Sequence, residues 1–279
     1  MAKPLLVMIF IFSLALLMFS ATAQYEYFQM VQQWPPATCS AIGTRCRGPY
    51  PTMFTIHGLW PSNYSTARLV CRGAAFSPTQ IAAIRPQLNT YWPDVIQRNN
   101  QKFWRHEWDD HGTCSEPPFD QLQYFQTTLN IRTNHNYDLL AILNAAGLGP
   151  TATMVRQYQA IESAIQAATG KKPGLRCNTN ARTGRSQLHE IILCFDGDGV
   201  TLTDCTRFAG ITCPSQFVWL HRQPWSLVAV VDEFKDSLVY EASTPKLLFL
   251  STVPLSIAFV LWKKVYQTPR GVRGGGKQE

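Results

Sequence analysis

The chain has 279 residues, 46% of them apolar, and a formal net charge of +7 at pH 7. That length can bury a full core, as one large domain or as one domain with extensions. The charge is dispersed: residues 24–220 carry +3, residues 221–279 carry +3 and Lys3 supplies the last unit. A mildly basic chain without a long basic run suits an anionic partner and argues against static nucleic-acid binding.

The N-terminus combines Lys3, an apolar run from Leu5 to Phe19 and the small-x-small triplet Ala21-Thr22-Ala23. This predicts a secretory signal peptide over 1–23, since the run is shorter than the ~20 residues a membrane span needs. Tyr25 to Trp34 reads as a strand buried on both faces and ended by Pro35-Pro36. Met53 to His57 reads as a second strand, with Gly58 letting the chain turn. Asn63-Tyr64-Ser65 is an N-glycosylation acceptor and implies a surface loop. Lys102 to His111 reads as a helix closed by Gly112. Leu122, Phe125 and Leu129 fall at helical spacing, as do Val155, Tyr158, Ile161 and Ile165. Leu188 to Phe195 reads as a late strand, with Ile191 and Leu193 on one face and Ile192 and Cys194 on the other. Asp196-Gly197-Asp198-Gly199 lacks a calcium loop's length and terminal glutamate, so it predicts a hairpin turn. Strands and helices without regular βαβ alternation predict an α+β fold.

Eight cysteines stand at 39, 46, 71, 114, 177, 194, 205 and 213. An even number in a secreted chain, with no C-x-x-C pair, predicts four disulfides and no structural zinc. Composition changes after Cys213. Residues 221–279 have no cysteine and contain the run Leu247 to Trp262, broken by Pro254 and flanked by Lys246, Lys263 and Lys264. The segment is read as an extension outside the folded domain 24–220. It is either a marginal C-terminal membrane anchor over 247–262 or the product of a wrongly predicted exon, and the second reading is adopted.

Two blocks carry the chemistry: Phe54-Thr55-Ile56-His57-Gly58-Leu59-Trp60-Pro61 and Phe103-Trp104-Arg105-His106-Glu107-Trp108-Asp109-Asp110-His111-Gly112-Thr113-Cys114. They offer three imidazoles and a glutamate, groups suited to proton transfer near neutral pH. On a helix Glu107 and His111 are i,i+4 neighbours, whereas His106 and His111 diverge by roughly 140°. That spacing is one residue too long for the zinc motif H-E-x-x-H. A His57–His111 pair fits general acid–base catalysis better, including attack of an RNA 2′-hydroxyl on its own phosphodiester, where the substrate supplies the nucleophile. Trp104 and Trp108 read as core. Trp60 and Phe103 read equally as core or as faces for stacking on bases. His135 and His189 have no catalytic context and read as ordinary loop and strand residues.

These two blocks, with the opening YEYFQMVQQWPP and the late LHEIILCF, resemble the ribonuclease T2 family over about Tyr25 to Cys213. They are most similar to plant S-ribonucleases, which act in pollen rejection, and to S-like relatives. The resemblance implies a central antiparallel sheet with packed helices, stapled by disulfides. It implies His57 as general acid, His111 as general base and Glu107 as the glutamate that assists at the phosphate. It implies substrate contacts from His106, Trp60, Phe103 and Gln33, with no metal or other cofactor. Partners would be single-stranded RNA and, in self-incompatibility, a pollen-side recognition protein; membrane contact requires the 247–262 anchor. The implied disulfides are Cys39–Cys46, Cys71–Cys114, Cys177–Cys213 and Cys194–Cys205.

Two departures stand out. Asp110 occupies the position where the family usually carries lysine, and the tail extends well past the last cysteine. Asp110 removes a cation that would stabilise developing phosphorane charge, and its own charge favours protonated imidazoles nearby. Two function classes follow: an active secreted endoribonuclease, or a ribonuclease-fold protein of low activity in recognition or storage.

Overall fold

The computed structural model describes residues 25–65, 69–208, 210 and 212–221. The signal-peptide and C-terminal-anchor readings fall on 1–23 and 247–262, outside these residues. The described strands are β1 (Tyr27–Gln33), β2 (Thr55–Ser62), β3 (Val155–Gln157), β4 (Gly174–Thr179), β5 (Ser186–Asp196), β6 (Leu202–Thr203) and β7 (Gln216–Val218). The helices are α1 (Pro35–Cys39), α2 (Arg85–Tyr91), α3 (Asn100–Asp110), α4 (Gln121–Thr133), α5 (Leu139–Ala145) and α6 (Tyr158–Thr169). Strand order is β2-β1-β5-β7-β3, with β4 and β6 also paired to β5. Among the named strands the pairings are antiparallel except that of β5 with β7, which is parallel and makes the α+β sheet mixed at that point.

β1 is buried along its whole length because alternate side chains enter two cores. Phe28 and Met30 join the large core, where Trp92, Trp104, Trp108 and Phe125 from the helices pack. Tyr27 and Val31 face a small cluster with Ile192 and the Cys194–Cys205 disulfide. Trp60 packs against this small cluster, and cross-strand pairing sets Gln33, Glu190 and Arg176 in one row on that thinly covered face.

Two β-bulges shape the row. Between Val31 and Gln32 the register against β2 jumps from Gly58 to Ile56, leaving His57 as the extra residue. Between Arg176 and Cys177 the register against β5 jumps from Glu190 to Leu188, leaving His189 as the extra residue. A bulge re-aims side chains without ending the strand. β2 therefore continues past Gly58 to Ser62, and the turn read there is corrected. Gly58 is required for another reason: a Cβ would stand 2.2 Å from Glu107 Oε2 and 2.3 Å from Trp60 Nε1.

α3 starts where the Asn99 side chain accepts the Lys102 N–H at 3.1 Å. Trp104, Glu107 and Trp108 form its buried stripe. His111 caps its C-terminus, and Gly112 follows because a Cβ there would meet the Trp108 ring at 2.4 Å. The helical reading of Val155 is corrected, since it lies exposed in β3 and pairs with Val218, while α6 buries Ile161 and Ile165. Within α4, Leu122 is exposed, and Phe125 and Leu129 carry its packing. The Asp196 to Gly199 segment is the turn between β5 and β6, with Asp198 accepting the Val200 and Thr201 N–H groups.

The disulfides are Cys39–Cys46, Cys71–Cys114, Cys177–Cys213 and Cys194–Cys205, the same four pairs that the family resemblance implies. Cys71–Cys114 spans 43 residues and anchors the turn directly after His111. Closing a loop of that length removes about 4 kcal/mol of unfolded-state entropy.

Candidate active site

β2 delivers His57 and Trp60, and α3 with its cap delivers Glu107 and His111. The Trp60 indole holds this group together. Its Nε1–H donates to Glu107 Oε2 at 3.0 Å, and its ring stacks on the His111 imidazole with centroids 4.9 Å apart. His57 Nε2 lies 3.8 Å from Glu107 Oε1, and the His57 ring meets Trp60 edge-on at 5.2 Å. The His57 carbonyl accepts from Trp92 Nε1 at 2.8 Å, which fixes its backbone. Trp60 thus packs against the catalytic candidates themselves. Trp104 and Trp108 are core, each donating to a backbone carbonyl.

Behind His57 stands a buried charge cluster. His57 Nδ1 hydrogen-bonds Glu190 Oε1. Arg176 Nε reaches Glu190 Oε2 at 3.1 Å, and His189 Nδ1 lies 3.9 Å from it. The Arg176 guanidinium also sits over the Trp60 ring, 4.7 Å from its centroid. His189, read from the sequence as an ordinary strand residue, lies beside this cluster and lines the same cavity as His57. Glu190 and Arg176 were missed altogether, and the only sequence signal was a charged His-Glu pair inside an apolar strand.

Burial opposes charge on His57, but Glu190, by charge and hydrogen bond, and Glu107 raise its pKa above the ordinary value. Burial would push the Glu190 carboxyl up; His57, His189 and Arg176 outweigh it and hold the group at about 2. Burial dominates at Glu107 and raises it, with His57 and the Trp60 hydrogen bond only partly offsetting. Burial likewise lowers His189. The two carboxyls are thus pushed in opposite directions, Glu190 down and Glu107 up.

Beside His57 lies a cavity of about 430 Å³ lined by Gln33, Thr38, Phe103, His106 and His189 among others. It brings together Gln33, Phe103 and His106 beside His57, whereas Trp60, Glu107 and His111 lie outside its walls. The buried Gln33 amide is fixed, donating to the Ile56 carbonyl at 3.4 Å and accepting from the Thr38 hydroxyl at 3.1 Å. His106 is exposed, with Nδ1 3.7 Å from Asp110 Oδ1. His135 is exposed and does not line this cavity. Asn63 follows β2, its side-chain oxygen accepting from the Ser65 hydroxyl at 2.9 Å. Among the described residues, no cluster of three or more His, Cys, Asp or Glu side chains is arranged to hold a metal ion.

Two histidines and a buried carboxylate, beside a cavity with an aromatic wall, are groups that a proton-transfer site needs. Comparison with known proteins supplies the particular class. The profile of the Ribonuclease T2 family matches residues 25–205, and the chain belongs to that family. Ribonuclease MC of Momordica charantia is 44% identical over 197 residues, covering 70% of this chain and 100% of that protein. Ribonuclease S-1 of Pyrus pyrifolia is 36% identical over 214 residues, covering 74% of this chain and 93% of that protein. Among solved structures, ribonuclease MC1 from bitter gourd seeds superposes with a TM-score of 0.64 over 70% of this chain and 100% of its own. A variant of that enzyme was solved with bound 5′-GMP. The protein is thus an endoribonuclease of the T2 family.

Proposed function

We infer that the chain cleaves single-stranded RNA by 2′-hydroxyl transesterification, without a metal. The carrying observation is the gathering of His57, Glu107 and His111 around one indole. His111 removes the 2′-hydroxyl proton as the oxygen attacks phosphorus. His57 gives its proton to the departing 5′-oxygen. The products are a 2′,3′-cyclic phosphate, which slow hydrolysis can open, and a free 5′-hydroxyl. Glu107 assists at the phosphate, its carboxyl held beside His57 by the Trp60 N–H. Gln33, Phe103 and His106 take substrate groups in the cavity beside His57. Stacking there tolerates different bases, so base preference is loose.

Secretion is supported by the leader pattern at 1–23 and by four disulfides, and Asn63 is the site for glycosylation. The domain spans 24–220, with 221–279 outside it. Similarity to Ribonuclease S-1 supports a finer role in gametophytic self-incompatibility, with a pollen-side protein as partner; expression confined to the pistil tests that role. Asp110 favours the second reading, a recognition or storage protein of low activity. Incubating the purified chain with single-stranded RNA and a chelator separates the two. Cleavage of RNA but not of its 2′-deoxy counterpart supports the enzyme. No cleavage supports the second reading.

A further inference from the structure

We propose that Glu190 is a positioning residue for His57, fixing the tautomer and the proton of the imidazole that acts as general acid. The hydrogen bond spans 133 residues of chain and joins β5 to β2. An ionised carboxylate only accepts, so His57 Nδ1 must carry the hydrogen. That leaves Nε2 as the nitrogen facing Glu107, 3.8 Å away, on the side where His111 stacks on Trp60. Glu190 is itself held: its side chain is 3% exposed, and Arg176 reaches its other oxygen at 3.1 Å. The bulge at His57 turns the imidazole out of the β2 register, and Gln33 and Arg176 flank Glu190 directly across the sheet.

The charged and titratable groups around His57 come from every neighbouring element. Glu107 faces it from α3, Arg176 from β4, and Glu190 and His189 from β5. Lys102 and His106 share its cavity. Of these, Glu190 alone hydrogen-bonds the ring. A His57 general acid must hold its proton until the leaving group takes it, and an adjacent buried anion favours that state. Replacing the charge while keeping the shape should therefore cost protonation more than binding.

The kinetic part of this proposal rests on the acid–base reading above; the tautomer does not. The test is Glu190→Gln in the full chain, followed by nitrogen-15 NMR of the histidine rings. The wild-type spectrum should show His57 protonated at Nδ1 near neutral pH. In Glu190→Gln the His57 titration midpoint should fall, and Glu190→Asp, which keeps the charge, should recover most of it. On RNA, the alkaline limb of the pH–rate profile should move to lower pH. At about pH 7.5 kcat should drop about tenfold, ~1.4 kcal/mol of barrier, with KM little changed. A His57 midpoint unmoved by Glu190→Gln would overturn the proposal, whatever the activity. So would a wild-type ring bare at Nδ1, which decides the matter even if the variants fail to fold. If the midpoint falls but wild-type protein leaves RNA intact, the acid–base reading fails and the positioning stands.

Discussion

The histidines of two histidine–carboxylate pairs line the same cavity. His57 on β2, its side chain 31% exposed, bonds Glu190 on β5, 3% exposed. His106 faces Asp110 at 3.7 Å one helical turn along α3, with side chains 62% and 35% exposed. The residue types match, but the physics differs. The exposed pair is screened by water and contributes about 0–1 kcal/mol. The Glu190 carboxylate lies in low dielectric, where its charge moves the imidazole's proton affinity. Burial of the partner carboxylate is what separates an imidazole with a tuned proton affinity from a surface one.

The largest effects should come from removing the acid or the base. His57→Ala and His111→Ala should each lower kcat/KM by ~10²–10⁴-fold. His106→Ala should remain within about tenfold, because a rim contact positions substrate without moving the reacting proton. Steady-state cleavage of an RNA oligomer checks all three, and equal losses in all three would erase the contrast. Next comes Gly58→Ala. The new Cβ must displace Glu107 Oε2 or Trp60 Nε1, and a misplacement of this kind should cost roughly 10²-fold in kcat. Unchanged kcat would mean that the Trp60–Glu107 geometry is not critical.

Glu107→Gln should cost roughly tenfold in rate or more while raising the melting temperature at neutral pH. Burial raises the Glu107 pKa in the folded state above its ordinary 4.5. The folded protein then binds that proton more readily than the unfolded chain does. Its contribution is favourable below the ordinary carboxyl range and is lost as pH rises through the folded pKa. Above the ordinary carboxyl range the group costs stability, and glutamine removes that cost. Calorimetry at neutral and acid pH checks it: the variant's advantage should vanish near pH ~4. The smallest effect expected is a gain. Asp110→Lys restores a cation beside His111 and should raise kcat several-fold. If the rate does not rise, Asp110 is not what limits this enzyme.

What sequence could reveal follows the same division. Glu107 and His111 are neighbours along one helix, so their spacing showed them together. β1 and the two faces of β5 were legible because alternation is local. The bulges were not, since they are defined by how two strands pair. Gly58 therefore looked like a turn, and Val155 fitted a helical period that the pairing with Val218 overrides. Glu190 and Arg176 were hidden for that reason as well. Their partners lie 133 residues away and directly across the sheet, and only the register brings them to His57.

The assignment of His57 as acid and His111 as base is tested most directly by an RNA whose scissile 5′-oxygen is replaced by sulfur. A thiolate leaves without being protonated, so loss of the general acid no longer matters, whereas the 2′-hydroxyl still needs its base. His57→Ala should cleave this substrate at close to the wild-type rate, and His111→Ala should remain slow. Rescue of His111→Ala instead, or of neither variant, would contradict the assignment.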